Sequence, residues 1–106
     1  MAWIFLVCAG VLEIVWAFSM KKSAGFTLAV PTAITLVTMV ASFALLSISM
    51  KTLPLGTAYT IWTGIGAVGA FVVGVIVLGE TATPLRLLAA ALIVAGIVMM
   101  KLASSP

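Results

Sequence analysis

Glu13 is the residue of this chain with the most chemistry to offer. It stands in the middle of the run MAWIFLVCAGVLEIVWAFSM, with no Lys or Arg before Lys21. If that run crosses a bilayer, the carboxyl group lies near the hydrocarbon midplane, where a charge at a helix centre costs about 2.5–3.5 kcal/mol or more. A carboxyl group there has two uses. It can exchange a proton for a cation, or it can form a neutral hydrogen bond to a neighbouring helix. The only other acid is Glu80.

Around Glu13 the helical spacing gathers Gly10, Trp16 and Ala17 on one face. The small residues allow a second helix to approach closely. The Trp16 indole can donate to the carboxylate or to another acceptor, or form a wall for a flat ligand. Tyr59 and Trp62, three residues apart, face one way and combine a π-face for cations with a hydrogen-bond donor. Ser42 falls mid-way along another apolar run, where a hydroxyl either serves a neighbour or bonds back to its own helix. Trp3 reads as an interfacial anchor. Lys101 reads as a snorkelling cation that complements a helix C-terminus. Cys8, the single cysteine, reads as a small apolar core residue.

Gly64, Gly66 and Gly69 spell G-x-G-x-x-G, but inside an apolar run. A dinucleotide site needs a preceding strand and an aqueous turn, so that reading is rejected. A hinge and close helix packing both remain open for these glycines. Ala91, Ala95 and Gly96 form a second small face suited to helix packing, with contact between subunits as the sharper form.

The elements that must position these residues follow from composition. Of 106 residues, 65% are hydrophobic and 7% charged, with mean hydropathy +1.44. A soluble domain carries roughly 25% charged residues. The expectation is an all-α membrane protein, a single membrane domain over 1–106 with short transmembrane helices near 2–20, 27–50, 57–78 and 85–102. Each run approaches the ~20 residues that span a bilayer. A barrel would need ~10-residue alternating strands. Pro31 fits a first helical turn; Pro54 and Pro84 mark loops. Residues 1–20 lack the positive start of a signal peptide and contain Glu13, so they read as mature structure.

Five basic residues and a formal charge of +3 do not make a nucleic-acid surface here, because they sit at the ends of the apolar runs. With no His, one Cys and no nucleophile–base pair, neither an enzyme, a metal nor a cofactor is expected. Lys51 and Lys101 would lie on one side of the membrane, and Lys21, Lys22 and Arg86 on the other. So small a bias does not select one orientation. Copies inserted both ways could pair as an antiparallel, dual-topology homodimer, and that pair would supply the inverted repeat that larger transporters carry in one chain.

Taken together, these residues resemble the small multidrug resistance family of proton-coupled exporters, over nearly the whole chain. The most specific match is Pro54-Leu55-Gly56-Thr57-Ala58-Tyr59-Thr60-Ile61-Trp62-Thr63-Gly64-Ile65-Gly66, which looks like the family's P-x-G-x-A-Y-x-x-W-x-G-x-G signature. Glu13 followed by Met20-Lys21 matches its first helix, and Ala95-Gly96 its fourth, which forms much of the dimer contact. Trp16, Ser42 and Lys101 resemble the guanidinium-exporter branch; the polyaromatic-cation branch usually has Gly and Asn in place of Trp16 and Lys101. The resemblance implies a multi-pass protein of the bacterial inner membrane, an antiparallel dimer and a pocket where protons and a cation compete for both copies of Glu13. It also implies that Trp16, Ser42, Tyr59 and Trp62 line the site, that Ser42 supports the glutamate, and that Gly64–Val68 is a kink. Guanidinium is planar and offers a fork of N–H donors that suits carboxylates. The alternatives are a broad quaternary-ammonium multidrug exporter and, from another class, a small dual-topology ion channel.

Overall fold

A continuous apolar run in lipid must satisfy its backbone internally, and a helix does so within one segment. The computed structural model describes residues 1–104 as four helices. They are α1 (Ala2–Lys22), α2 (Ala29–Ser49), α3 (Leu55–Ile76) and α4 (Pro84–Ala103). All four are long and apolar enough to cross a membrane. At about 1.5 Å per residue, such helices match a ~30 Å hydrocarbon core.

The ends of the helices differ from the sequence-derived spans for local reasons. The first span extends to Lys22, and Ser23 closes it by donating from Oγ to the Met20 carbonyl at 2.6 Å. The second starts at Ala29 rather than Thr27, because the N–H groups of Thr27 and Leu28 both donate to the Ser23 carbonyl, at 2.9 and 3.1 Å. Between them Ala24, Gly25 and Phe26 take φ of 51°, 73° and 67°, a turn of left-handed backbone. The third helix begins at Leu55, directly after extended Pro54, and stops at Ile76. Gly79, with φ 69°, lets the Glu80 N–H reach back to the Gly74 carbonyl at 3.0 Å. On the fourth, Pro84 occupies the first turn and Thr83 Oγ1 accepts the Arg86 N–H at 3.2 Å.

The helices form a flat body of 45 × 34 × 16 Å. Helix α1 lies against both α2 and α3; α2 and α3 meet only briefly, and the backbone of α4 approaches that of α3 alone. The hydrophobic core joins Leu6 and Ala9 of α1, Leu46 of α2, and Ala58, Ile61 and Trp62 of α3. These positions put it at the end of the bundle that carries the amino terminus. Lys101 Nζ stands 4.1 Å from the centre of the Trp3 ring, and Thr57 and Ser104 hydroxyls meet at 3.1 Å, so the C-terminal end of α4 is tied to this same end.

Cys8 is exposed, which corrects the expectation that it is a core residue. It joins Ile4, Val7, Val11 and Val15 on the face of α1 turned away from its neighbours. Lipid accepts such a residue as readily as a core does.

Candidate functional site

Glu13 lies near the midpoint of α1 and is pressed onto α3. Its carboxyl group occupies the place where a Cβ on Gly66 would stand, against Oε1, Cδ and Cγ. Further along the seam Ile14 fills the corresponding place at Gly69, and Ile65 of α3 fills the one at Gly10 of α1. The two helices therefore interlock reciprocally, small residue against large. Gly64 serves the other side of α3, where Ile97 of α4 seats against it. Of the two readings of the glycine motif, close packing accounts for each of these three positions. Helix α3 runs without a break through Gly64–Val68.

Ser42 is fully buried where three helices meet. Its hydroxyl donates to the Ala9 carbonyl of α1 at 2.7 Å and accepts the Trp62 indole N–H of α3 at 3.0 Å. It does not bond back to its own helix, and its single proton is given to Ala9 rather than to the Glu13 carboxylate. By helix geometry that same carbonyl also takes the Glu13 N–H. Ser42 thus acts on the backbone that carries Glu13.

Trp62 is only 7% exposed, so its indole is a structural donor within one subunit, whereas Tyr59 is 53% exposed. Their rings lie 5.5 Å apart. The aromatic series continues from Trp62 to Phe43 at 5.8 Å, and from Phe43 edge-on to Trp16 at 6.3 Å. Phe43 was not singled out from the sequence, yet it links Trp16 to the Ser42–Trp62 bond. Its signal was that it is the only aromatic residue in α2.

Two polar atoms on one face of α1 are buried without a hydrogen-bond partner among the described residues: Glu13 Oε1 and Trp16 Nε1. Leaving a buried polar group unpaired costs about 1–3 kcal/mol, more when it is charged. The unpartnered carboxylate oxygen is a place for a partner with N–H donors of its own, whereas the Trp16 N–H, itself a donor, calls for an acceptor such as a carboxylate oxygen.

The predicted packing residues of α4 stand apart from this site. Ala91 and Ala95 are exposed, no residue of α4 is buried, and nothing lies within 4 Å of a Cβ placed on Gly96. Between α3 and α4 opens an apolar groove of about 780 Å³, lined by Tyr59, Thr63 and Gly64 and by Ile93, Gly96 and Ile97. Glu13 is not among its lining residues, since Gly66 turns toward α1 and Gly64 toward α4.

Comparison with known proteins bears on the family. The profile of the family described as Small Multidrug Resistance protein matches residues 1–93. A protein of Salmonella typhimurium (strain LT2) named guanidinium exporter is 58% identical over 104 residues, covering 98% of this chain and 99% of its own. Proteins of the same name from Citrobacter freundii and Escherichia coli K12 are 55% and 54% identical, with the same coverage. Four membrane-spanning helices, a carboxyl group set within the first, and a family profile over most of the length lead to one assignment: this multi-pass membrane protein belongs to the small multidrug resistance family.

Proposed function

We propose that the protein exports guanidinium in exchange for protons, as an antiparallel homodimer in which both copies of Glu13 form one shared site. The observation that carries this reading is the buried Glu13 oxygen, which has no hydrogen-bond partner among the described residues. The name carried by the relatives from Salmonella, Citrobacter and Escherichia supports guanidinium as the cargo.

The chemistry runs as competition. A protonated Glu13 is neutral and compatible with its apolar surroundings. A guanidinium ion displaces the proton, because its N–H fork gives charge-assisted hydrogen bonds to the carboxylate oxygens. Release of the cation on the far side lets a proton return. Proton and cation never neutralise the same carboxylate together, so movement of one against the other is obligatory. Trp16 narrows the site and supplies a flat wall, and Tyr59 and Trp62 extend the aromatic surface, Trp62 through its bond to Ser42. Glycines Gly64 and Gly66 are the hinge in this scheme, and Ala91, Ala95 and Gly96 pack the two subunits together.

The test is guanidinium transport driven by a pH gradient in proteoliposomes. Glu13→Gln keeps the shape and removes the titratable group. It is expected to abolish coupled transport while the dimer still elutes intact. Transport by that variant at the unaltered rate would overturn the mechanism. A tetra-substituted ammonium ion, which has no N–H donor, is expected to move far more slowly than guanidinium.

A further inference from the structure

A second charged feature lies at the opposite end of the bundle from the core. A cavity of about 210 Å³ opens between the C-terminal ends of α1 and α3, and its lining includes Ala17, Phe18 and Lys21 on one side and Ala70, Gly74 and Glu80 on the other. Glu80 is placed there twice over. Its N–H closes the end of α3 on the Gly74 carbonyl, and its carboxylate folds back against Gly74 where a Cβ would stand. A negative charge at a helix C-terminus is electrostatically disfavoured. A cation beside it would offset that cost, and among the described residues Lys21 and Glu80, both exposed, share the cavity without forming an ion pair. Lys22 does not compete for it, because its Nζ stands over the Phe18 ring, 5.7 Å from the centre. The remaining walls are methyl groups and an aromatic ring.

Lys21 lies in the last turn of α1 and Glu80 in the loop just past α3, positions that set both near the lipid headgroups. We propose that this cavity binds a phospholipid whose headgroup carries both charges, with the phosphate on Lys21 and a primary ammonium on Glu80. The glycerol and first methylenes lie along Phe18, Ala17 and Ala70. The ammonium must carry N–H donors, since the carboxylate is an acceptor only. This selects ethanolamine headgroups over choline, which has no N–H, and over glycerol, which has no positive charge. Bound there, the lipid ties α1 to α3 at the end where the hydrophobic core does not reach.

The assignment is tested by native mass spectrometry of the full chain in mild detergent, titrated with phosphatidylethanolamine, phosphatidylcholine and phosphatidylglycerol of identical acyl chains. The unaltered protein is expected to retain phosphatidylethanolamine over the other two by on the order of tenfold, the factor one charge-assisted hydrogen bond supplies. Glu80→Gln should erase that preference. Gly74→Ala keeps both charges, but its methyl group takes the place of the carboxylate, and it should weaken the preference too; it also serves if Glu80→Gln does not fold. No preference in the unaltered protein, or an undiminished one in either variant, overturns the proposal.

Discussion

A single hydroxyl joins three helices. Ser42 spends its proton on the Ala9 carbonyl and one lone pair on the Trp62 N–H, and both bonds are fully buried. Removing it by Ser42→Ala leaves the indole N–H without an acceptor in a dry site, at about 1–3 kcal/mol. The expected outcome is a lower melting temperature in detergent. In a double-mutant cycle with Trp62→Phe, the pair should lose less than the sum of the singles; strict additivity would show that the bond carries no coupling energy. Glu13 was legible without coordinates, because a charge in lipid is expensive and calls for a use. The partners of Ser42 were not, because a mid-membrane hydroxyl has acceptors on its own helix as well as on others.

Among the elements, the first loop carries the clearest stored strain. Three successive residues have left-handed backbone, two of them with side chains. An L-residue there costs about 1–2 kcal/mol. The turn is held by Ser23, which accepts the Phe26 N–H on Oγ at 3.0 Å and the Thr27 and Leu28 N–H groups on its carbonyl. Ala24→Gly removes the Cβ conflict and should raise stability by up to about 1 kcal/mol after the glycine's greater unfolded-state freedom is set against it. A thermal unfolding series in one detergent measures this, and a loss of stability would mean that Ala24 is not left-handed in the membrane. Nothing in the sequence announced three such residues in a row; Gly25 alone marked the turn. The glycine-rich part of α3 was recognisable as either hinge or packing surface, and only the opposing side chains Glu13, Ile14 and Ile97 account for its spacing.

As a whole, the subunit is thin and unfinished. Its smallest dimension is 16 Å, less than two helix diameters. One helix, α4, has no buried residue and packs along α3, with the Lys101 side chain reaching Trp3 of α1. Its free small face, around Gly96, is available for a second copy, in keeping with the proposed dimer. Within the subunit a Cβ added at Gly96 has no neighbouring atom within 4 Å, so Gly96→Val should leave the isolated fold largely intact. Crosslinking and size-exclusion chromatography should instead show fewer dimers, with transport falling in parallel. Unchanged dimer content would move the interface away from this face.

Hydropathy and charge placement alone determined the number of spans, their approximate ends, and the one acid inside the membrane. The motif around Tyr59, Trp62 and the glycines was enough to identify the family. Only the folded chain decided which apolar residues lie inside: Ala9 is buried and Cys8 beside it is exposed. It also decided that Phe43 links two tryptophans and that Glu80 turns back onto Gly74. The reason is the solvent. In water, hydrophobicity separates core from surface, but lipid tails are as apolar as leucine, so helix contacts are chosen by shape and by scarce polar groups. Those choices depend on which helices meet, and that is a property of the tertiary structure.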